Sequence, residues 1–106
     1  MEKKMQSTEV VIEKIIARFK KNGYAQGPIN RFGFVSQSVK HVVISRERGK
    51  NTPIPFNKID EAIIAVRKDH KVYSEGPTRL GKHGLTHITS PLWALINLLT
   101  LGELKS

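Results

Sequence analysis

The segment 92–101 constrains the fold more than any other part of the chain, because eight of its ten positions are apolar. Ser90 and Pro91 precede it as a helix cap and a first-turn proline, and Gly102 follows as a stop signal. A helix over 91–101 would be apolar on nearly every side, yet it is too short to span a bilayer, which needs roughly 20 residues. Two interpretations stay open. The helix forms the centre of the core, which is favoured in so small a domain, or Leu92–Leu101 docks on a second copy or another protein.

Two further helices are predicted from apolar residues at helical spacing. The first covers 8–22, and Gly23 supplies its C-terminal stop. The second covers 58–69, where Asn57 is the expected N-cap and Asp60, three residues later, completes an arrangement like a capping box. Both helices would bury one face against the rest of the domain.

Strands are predicted between these two helices. Phe32 and Phe34 alternate with smaller residues, and we expect them in the core rather than as a platform for stacked bases. Residues 39–45 are rich in β-branched side chains, which favour a second strand. A third strand, 52–56, must be short or lie at an edge, because its two prolines cannot donate hydrogen bonds.

A last hairpin is predicted from Val72–Tyr73 and Leu85–Ile88, on either side of a loop. The expected fold is therefore α+β, with a small antiparallel sheet of three to five short strands packed against about three helices. The order is α-β-β-β-α-(β-β)-α in one domain, 1–106, with 1–6 as a disordered tail. Because no apolar run follows the basic start directly, a signal peptide is not expected, and we predict a cytoplasmic protein without a membrane contact.

Basic residues are concentrated in one part of the chain. The sequence has 18 Lys and Arg against 9 Asp and Glu, a formal net charge of +9. Between Lys14 and Lys58 there are ten basic residues and one acid, Glu47, so this segment has an excess equal to that of the whole chain. Such a surface binds phosphates and releases their counterions. We therefore expect a non-catalytic nucleic-acid-binding module, regulatory or accessory, with DNA ahead of RNA as its partner.

Three basic groups supply the expected contacts: one edge of the first helix, the turn before the third strand, and a loop after the second helix. Arginine can bind a phosphate or a guanine through two parallel hydrogen bonds, and asparagine is suited to adenine. The predicted nucleic-acid-binding residues are Lys14, Arg18, Lys21, Arg46, Arg48, Lys50, Asn51, Arg79 and Lys82.

Two orders of elements resemble known folds. The helix 58–69 followed by a basic hairpin resembles winged-helix proteins, in which the helix enters the major groove of DNA. The order helix, three strands, helix resembles the double-stranded-RNA-binding fold and the small ribonuclease toxins built on it. The matching residues are Lys20–Tyr24 at the end of the first helix and His41 on the second strand. This second resemblance implies RNA cleavage by His41, which is the enzymatic alternative.

Other catalytic or metal sites are weakly indicated. The chain has no cysteine, which excludes thiolate ligands and cysteine nucleophiles. His83 and His87 lie four residues apart, but Gly84 lies between them and the glutamate of the zinc-protease motif is missing. We therefore expect no metal and no cofactor.

Overall fold

A computed structural model describes residues 7–82, 84, 85 and 88–105. In this part of the chain six helices pack with a single antiparallel sheet of four strands, so the predicted α+β class is confirmed. The elements in chain order are α1 (Thr8–Asn22), β1 (Tyr24–Gln26), β2 (Arg31–Gln37), β3 (His41–Arg46), β4 (Thr52–Pro55), α2 (Phe56–Lys68), α3 (Lys71–Glu75), α4 (Thr78–Gly81), α5 (Thr89–Ile96) and α6 (Leu101–Lys105).

Helix α1 begins and ends at the residues that the sequence predicts. The side chain of Ser7 accepts a hydrogen bond from the Val10 N–H, 3.4 Å away, and so caps the first turn. Gly23 ends the helix with a φ of 82°, a left-handed conformation that favours glycine, and its N–H donates to the Phe19 carbonyl. The apolar face between these caps is buried in the core.

The strands are hydrogen-bonded in the order β1-β2-β3-β4, each antiparallel to its neighbour. The three predicted strands correspond to β2, β3 and β4, and β4 lies at an edge as its prolines require. Strand β1 was not predicted. One face of the sheet packs on the helices through buried side chains of all four strands, namely Ala25, Phe32, Val42, Ile44 and Ile54.

The two phenylalanines of β2 lie in the interior, as expected. Phe32 is 2% exposed, and Phe34 packs partly buried against the core. The Phe34 ring meets the ring of Phe19 edge to face, with 5.4 Å between the centroids. This contact joins β2 to α1.

Helix α2 begins two residues before the predicted range of 58–69. Pro55, at the end of β4, has the extended backbone of an N-cap, and no side chain caps the helix. The helix follows β4 without a linker, because β4 ends at Pro55 and α2 begins at Phe56. The N–H of Phe56 donates to the carbonyl of Lys40, 2.8 Å away. The predicted cap at Asn57 is therefore wrong, because Asn57 already lies within the helix.

The predicted strand at Val72–Tyr73 is also wrong, because these residues belong to α3. Two long-range hydrogen bonds hold them there. The indole Nε1 of Trp93 donates to the Val72 carbonyl at 3.0 Å, and the Tyr73 hydroxyl donates to the Leu99 carbonyl at 2.8 Å. Packing on the C-terminal helices thus outweighs the β preference of a valine–tyrosine pair.

The second half of the predicted hairpin is not a strand where the structure describes it. Leu85 and Ile88 lie outside any strand, and Thr86 and His87 fall outside the described residues. Helix α2 is followed by α3 and α4 rather than by a strand of a basic hairpin. The winged-helix interpretation is therefore wrong. The predicted tail, 1–6, also falls outside the described residues.

The predicted helix over 91–101 is divided in two. Helix α5 starts at Thr89, so Ser90 and Pro91 lie inside it rather than at its cap. Helix α6 follows a turn and starts with a reciprocal pair of hydrogen bonds. The N–H of Glu103 donates to Thr100 Oγ1 at 3.2 Å, and the N–H of Thr100 donates to Glu103 Oε1 at 3.0 Å. This capping box begins a new helix and ends the apolar one.

The apolar C-terminal segment forms the centre of the domain, which confirms the core interpretation. Helix α5 is in contact with α1, α2, α4 and β1. Its segment contributes side chains that are at most 1% exposed, including Leu92, Leu95, Ile96 and Leu99. These side chains pack inside the chain and are not available to a partner. Among the described residues, no helix has the length and apolar character required to cross a bilayer.

Candidate nucleic-acid interface

The register of the strands gathers basic residues at one end of the sheet. Strand β2 starts at Arg31, and its next residue pairs with Arg46 at the end of β3. The loop 47–51 follows directly and includes Arg48 and Lys50. We call Arg31, Arg46, Arg48 and Lys50 the basic sheet end. Only one acid, Glu47, lies in the same stretch of chain.

Arg46 is held in position by its own neighbours. Its Nε donates to Thr52 Oγ1 at 2.9 Å, and its guanidinium carbon lies 5.8 Å from the centroid of the Phe32 ring. The Thr52 hydroxyl in turn donates to the Lys50 carbonyl at 3.2 Å. In the described part of the chain Nη1 and Nη2 of Arg46 make no hydrogen bond. Both nitrogens can therefore donate to a ligand while Nε holds the guanidinium in place.

Arg31 is held in the same way on the neighbouring strand. Its Nε donates to Gln26 Oε1 at 3.2 Å, and its guanidinium carbon lies 4.7 Å from the centroid of the Tyr24 ring. The Gln26 amide is itself anchored, because its Nε2 donates to the Gly27 carbonyl at 2.9 Å. The sequence prediction did not include Arg31. A turn signal at Gly27 and Pro28, with Gln26 before it and Asn30 two residues after it, could have indicated the β1–β2 hairpin.

The loop residues of the basic sheet end are exposed. Arg48, Lys50 and Asn51 all lie on the surface, and Gly49 between them has a φ of 104°, which favours glycine. Within the described ranges, the ion pairs involve neither these two cations nor Arg31 and Arg46. The sequence prediction of a basic turn here is confirmed as structure, whereas nucleic-acid contact remains a prediction.

Arg18 of α1 is engaged within the protein. Its Nη1 and Nη2 donate to the two carboxylate oxygens of Glu103 at 2.7 and 2.6 Å, and Nη1 also donates to the Leu98 carbonyl at 3.0 Å. The hydrogen bond from Arg18, with one from the Thr100 N–H, lowers the pKa of Glu103 to about 2. The same carboxylate raises the pKa of Arg18. This bidentate pair ties α1 to α6.

Arg79 is also engaged within the protein. Its Nε donates to Asp69 Oδ2 at 2.6 Å, and its Nη1 lies 3.5 Å from Glu75 Oε1. The hydrogen bond to Asp69 raises the pKa of Arg79. Arg79 therefore fixes α4 against the segment that follows α2, and a phosphate would have to displace two carboxylates to reach it.

The remaining predicted contacts do not belong to the sheet. Lys14 and Lys21 lie on α1 in the helical layer, where Lys14 is half-buried and Lys21 is exposed. Lys82 is exposed directly after α4. Of the nine predicted residues, four therefore share the end of the sheet that Arg31 completes: Arg46, Arg48, Lys50 and Asn51.

His41 opens β3 opposite Pro55 and is half-buried. Its backbone N–H donates to Ser38 Oγ at 3.2 Å, and its carbonyl accepts from the Ser38 N–H at 2.8 Å. Among the described residues its imidazole has neither a hydrogen bond nor an ion pair that would orient it as a general base. RNA cleavage by His41 thus remains a prediction that these contacts do not favour.

The described residues contain no group of three or more histidine, aspartate or glutamate side chains that could hold a metal ion. His83 and His87, which the sequence places four apart, fall outside them.

No protein-family model, no curated protein and no solved structure matches the chain. The resemblance to the double-stranded-RNA-binding fold therefore rests on the order of elements alone. The observed order also differs from that fold by one extra strand, β1, between α1 and the three predicted strands. The fold and its basic sheet end define a class in general terms, a small α+β protein with cations grouped on its sheet. The function has to be argued from these residues.

Proposed function

We propose that the protein binds nucleic acid through the basic sheet end, without catalysing a reaction, and that DNA is preferred to RNA. The arrangement of Arg31 and Arg46 supports this proposal most strongly. Each arginine donates through Nε to a neighbour, and its guanidinium lies over an aromatic ring. Arg31 is exposed on the outer face of the sheet, whereas Arg46 pairs with Phe32, points to the helix-facing side and is half-buried. A planar guanidinium held in this way can bind a phosphate through two parallel hydrogen bonds.

Fixing the two arginines before the ligand arrives increases affinity. A free arginine side chain loses about 2 kcal/mol of rotamer entropy when it is immobilised. For Arg31 and Arg46 part of that loss has already occurred during folding, because Gln26 and Thr52 hold them. The exposed cations of the loop, Arg48 among them, would add attraction without this geometric precision.

The charge of the sheet supports the same conclusion. The four strands contain no aspartate or glutamate at all. Over residues 24–55, which include the strands and their loops, five basic residues are accompanied by Glu47 alone. A phosphate backbone that approaches this side therefore meets little electrostatic repulsion. The helical layer differs, since its Arg18 and Arg79 are paired with carboxylates.

A salt series on DNA and RNA, each as a duplex and as a single strand, tests the proposal. The variant Arg46→Gln, Arg48→Gln, Lys50→Gln removes three cations and retains most of the side-chain volume. For B-DNA each phosphate contact contributes about −0.9 to the slope of log K against log salt. We expect the triple variant to bind more weakly at low salt and to lower the magnitude of this slope by about 3.

A matched control separates a specific surface from general positive charge. Lys68, Lys71 and Lys105 belong to the helices rather than to the sheet. Replacing these three lysines by glutamine removes the same charge. We expect this control to leave the slope close to that of the wild type. The proposal is wrong if the wild type binds no nucleic acid at low salt, or if both triple variants lose affinity equally.

A further inference from the structure

The face of the sheet that is turned away from the helices presents a flat row of residues. Tyr24 pairs with Gly33, and Gly33 pairs with Ser45, so these three positions lie side by side across three strands. Because Ala25 and Phe32 point into the core, their strand neighbours point outward. Arg31, two positions before Gly33, points to the same outer face.

At Gly33 no side chain projects from the outer face of the sheet. A Cβ placed on Gly33 would lie 2.5 Å from Ser45 Oγ, which is closer than real contacts allow. The position therefore has no room for a side chain while Ser45 keeps its conformation. Beside it the Tyr24 side chain is 41% exposed. The outer face thus offers a flat strip bordered by one aromatic ring.

The guanidinium of Arg31 lies on that ring, 4.7 Å from its centroid to the guanidinium carbon. The Tyr24 ring thus lies on one side of the cation, and Arg31 as a residue is exposed. An arginine plane supported from behind is a surface on which a nucleic-acid base can stack, as bases do on arginine and aromatic side chains in single-strand-binding proteins. The neighbouring terminal nitrogens could bind the adjoining phosphate.

We infer that the ligand is a single strand, and that one of its bases stacks on the outer side of the Arg31 guanidinium. This inference rests on the proposed function and narrows its ligand. The bases of a duplex are covered on both faces by their neighbours, so only an unpaired base can reach the arginine plane. The backbone of the strand would continue from Arg31 round the end of the sheet to the exposed loop, where its phosphates meet Arg48 and Lys50.

The test compares oligonucleotides of about 12 nucleotides at low salt. The probes are a DNA strand, an RNA strand of the same sequence, their duplexes, and each strand with an abasic tract at its centre. An abasic tract retains the phosphates and removes the bases. We expect single strands to bind more tightly than duplexes, and the abasic tract to weaken binding by about 5-fold or more. Whichever single strand binds more tightly, DNA or RNA, shows which sugar the protein prefers.

The variant Arg31→Lys retains the positive charge and removes the planar guanidinium on which a base would stack. It should bind intact and abasic strands almost equally, whereas the control Arg48→Lys should keep the wild-type preference for the intact strand. Tyr24→Leu removes the supporting ring and should reduce that preference. Circular dichroism checks that each variant is folded.

The outcomes distinguish the two proposals. If duplexes bind as tightly as single strands, or the abasic tract has no effect, the single-strand inference is wrong while nucleic-acid binding stands. The inference is also wrong if Arg31→Lys keeps the full dependence on the bases. If the wild type binds none of the probes, the proposed function itself fails.

Discussion

Truncation of Leu95 to alanine tests whether α5 is the interior of the domain. The Leu95 side chain has no exposed surface, and α5 is in contact with three helices and a strand. Neighbours fixed on several sides cannot close fully over the space that the side chain leaves. The change from leucine to alanine at buried sites costs about 2 to 5 kcal/mol, and the cost rises with the volume of the remaining cavity. We expect at least 3 kcal/mol here, roughly the middle of that range.

Thermal unfolding followed by circular dichroism converts this cost into a temperature. The entropy of unfolding is about 2.1 cal/mol/K per residue. For a chain of 106 residues it amounts to about 0.22 kcal/mol/K. A loss of about 3 kcal/mol therefore lowers the Tm by about 14 °C.

The matched control is Val39→Ala, because Val39 is 91% exposed. Its free energy of unfolding should change by less than about 0.5 kcal/mol. If Leu95→Ala lowers the Tm no more than this control, the reasoning about the core is refuted. It is also refuted if the loss of stability depends on protein concentration, since mass action produces that dependence only when the leucine packs against a second chain.

Two further changes test individual contacts. The pKa of Glu103 falls from its usual 4.5 to about 2 because Arg18 donates to it, so its stabilising effect is complete above pH 4.5 and is lost as the pH falls towards 2. In melting experiments the difference in Tm between wild type and Glu103→Gln should therefore narrow over this range, and an equal difference at about pH 6 and about pH 2.5 would contradict the account. Gly33→Ala should cost about 1 kcal/mol in urea unfolding, because the new Cβ would lie 2.5 Å from Ser45 Oγ. Adding Ser45→Ala should restore the lost free energy of unfolding. A double variant no more stable than Gly33→Ala alone would show that the Ser45 hydroxyl is not the cause of the loss.

Local signals in the sequence were sufficient where they agreed with one another. Helix α1 has a serine cap, a glycine stop and an apolar face, and its predicted bounds are those observed. Strand β4 was expected to be short or to lie at an edge because of its prolines, and it is a strand of four residues at an edge. Strand β1 was missed because its three residues are too few to show an alternating pattern.

Other elements depend on contacts between distant residues. Val72 and Tyr73 favour a strand by composition, yet they bond to Trp93 and Leu99 as part of α3. The break between α5 and α6 had a local signal, the pair Thr100 and Glu103, which the apolar character of the segment obscured.

The candidate site shows the same division. A turn with three cations was evident from the sequence at 46–50, and the structure places it at the end of the sheet. The engagement of Arg18 could not be predicted, because its partner Glu103 is 85 residues away in the chain. The position of Arg31 depends on β1, and therefore on a strand too short to recognise.

The two prolines of β4 have a consequence for how copies of the protein behave side by side. Pro53 and Pro55 alternate with Ile54 on a strand at the edge of the sheet, and neither proline has an N–H to offer a further strand. The opposite edge is a strand of three residues, which gives an added strand little to pair with. Growth of the sheet from one molecule into the next is thereby prevented at β4 and limited at β1. Pairing of strands from neighbouring molecules is therefore disfavoured at both edges of the sheet, even where copies are crowded together.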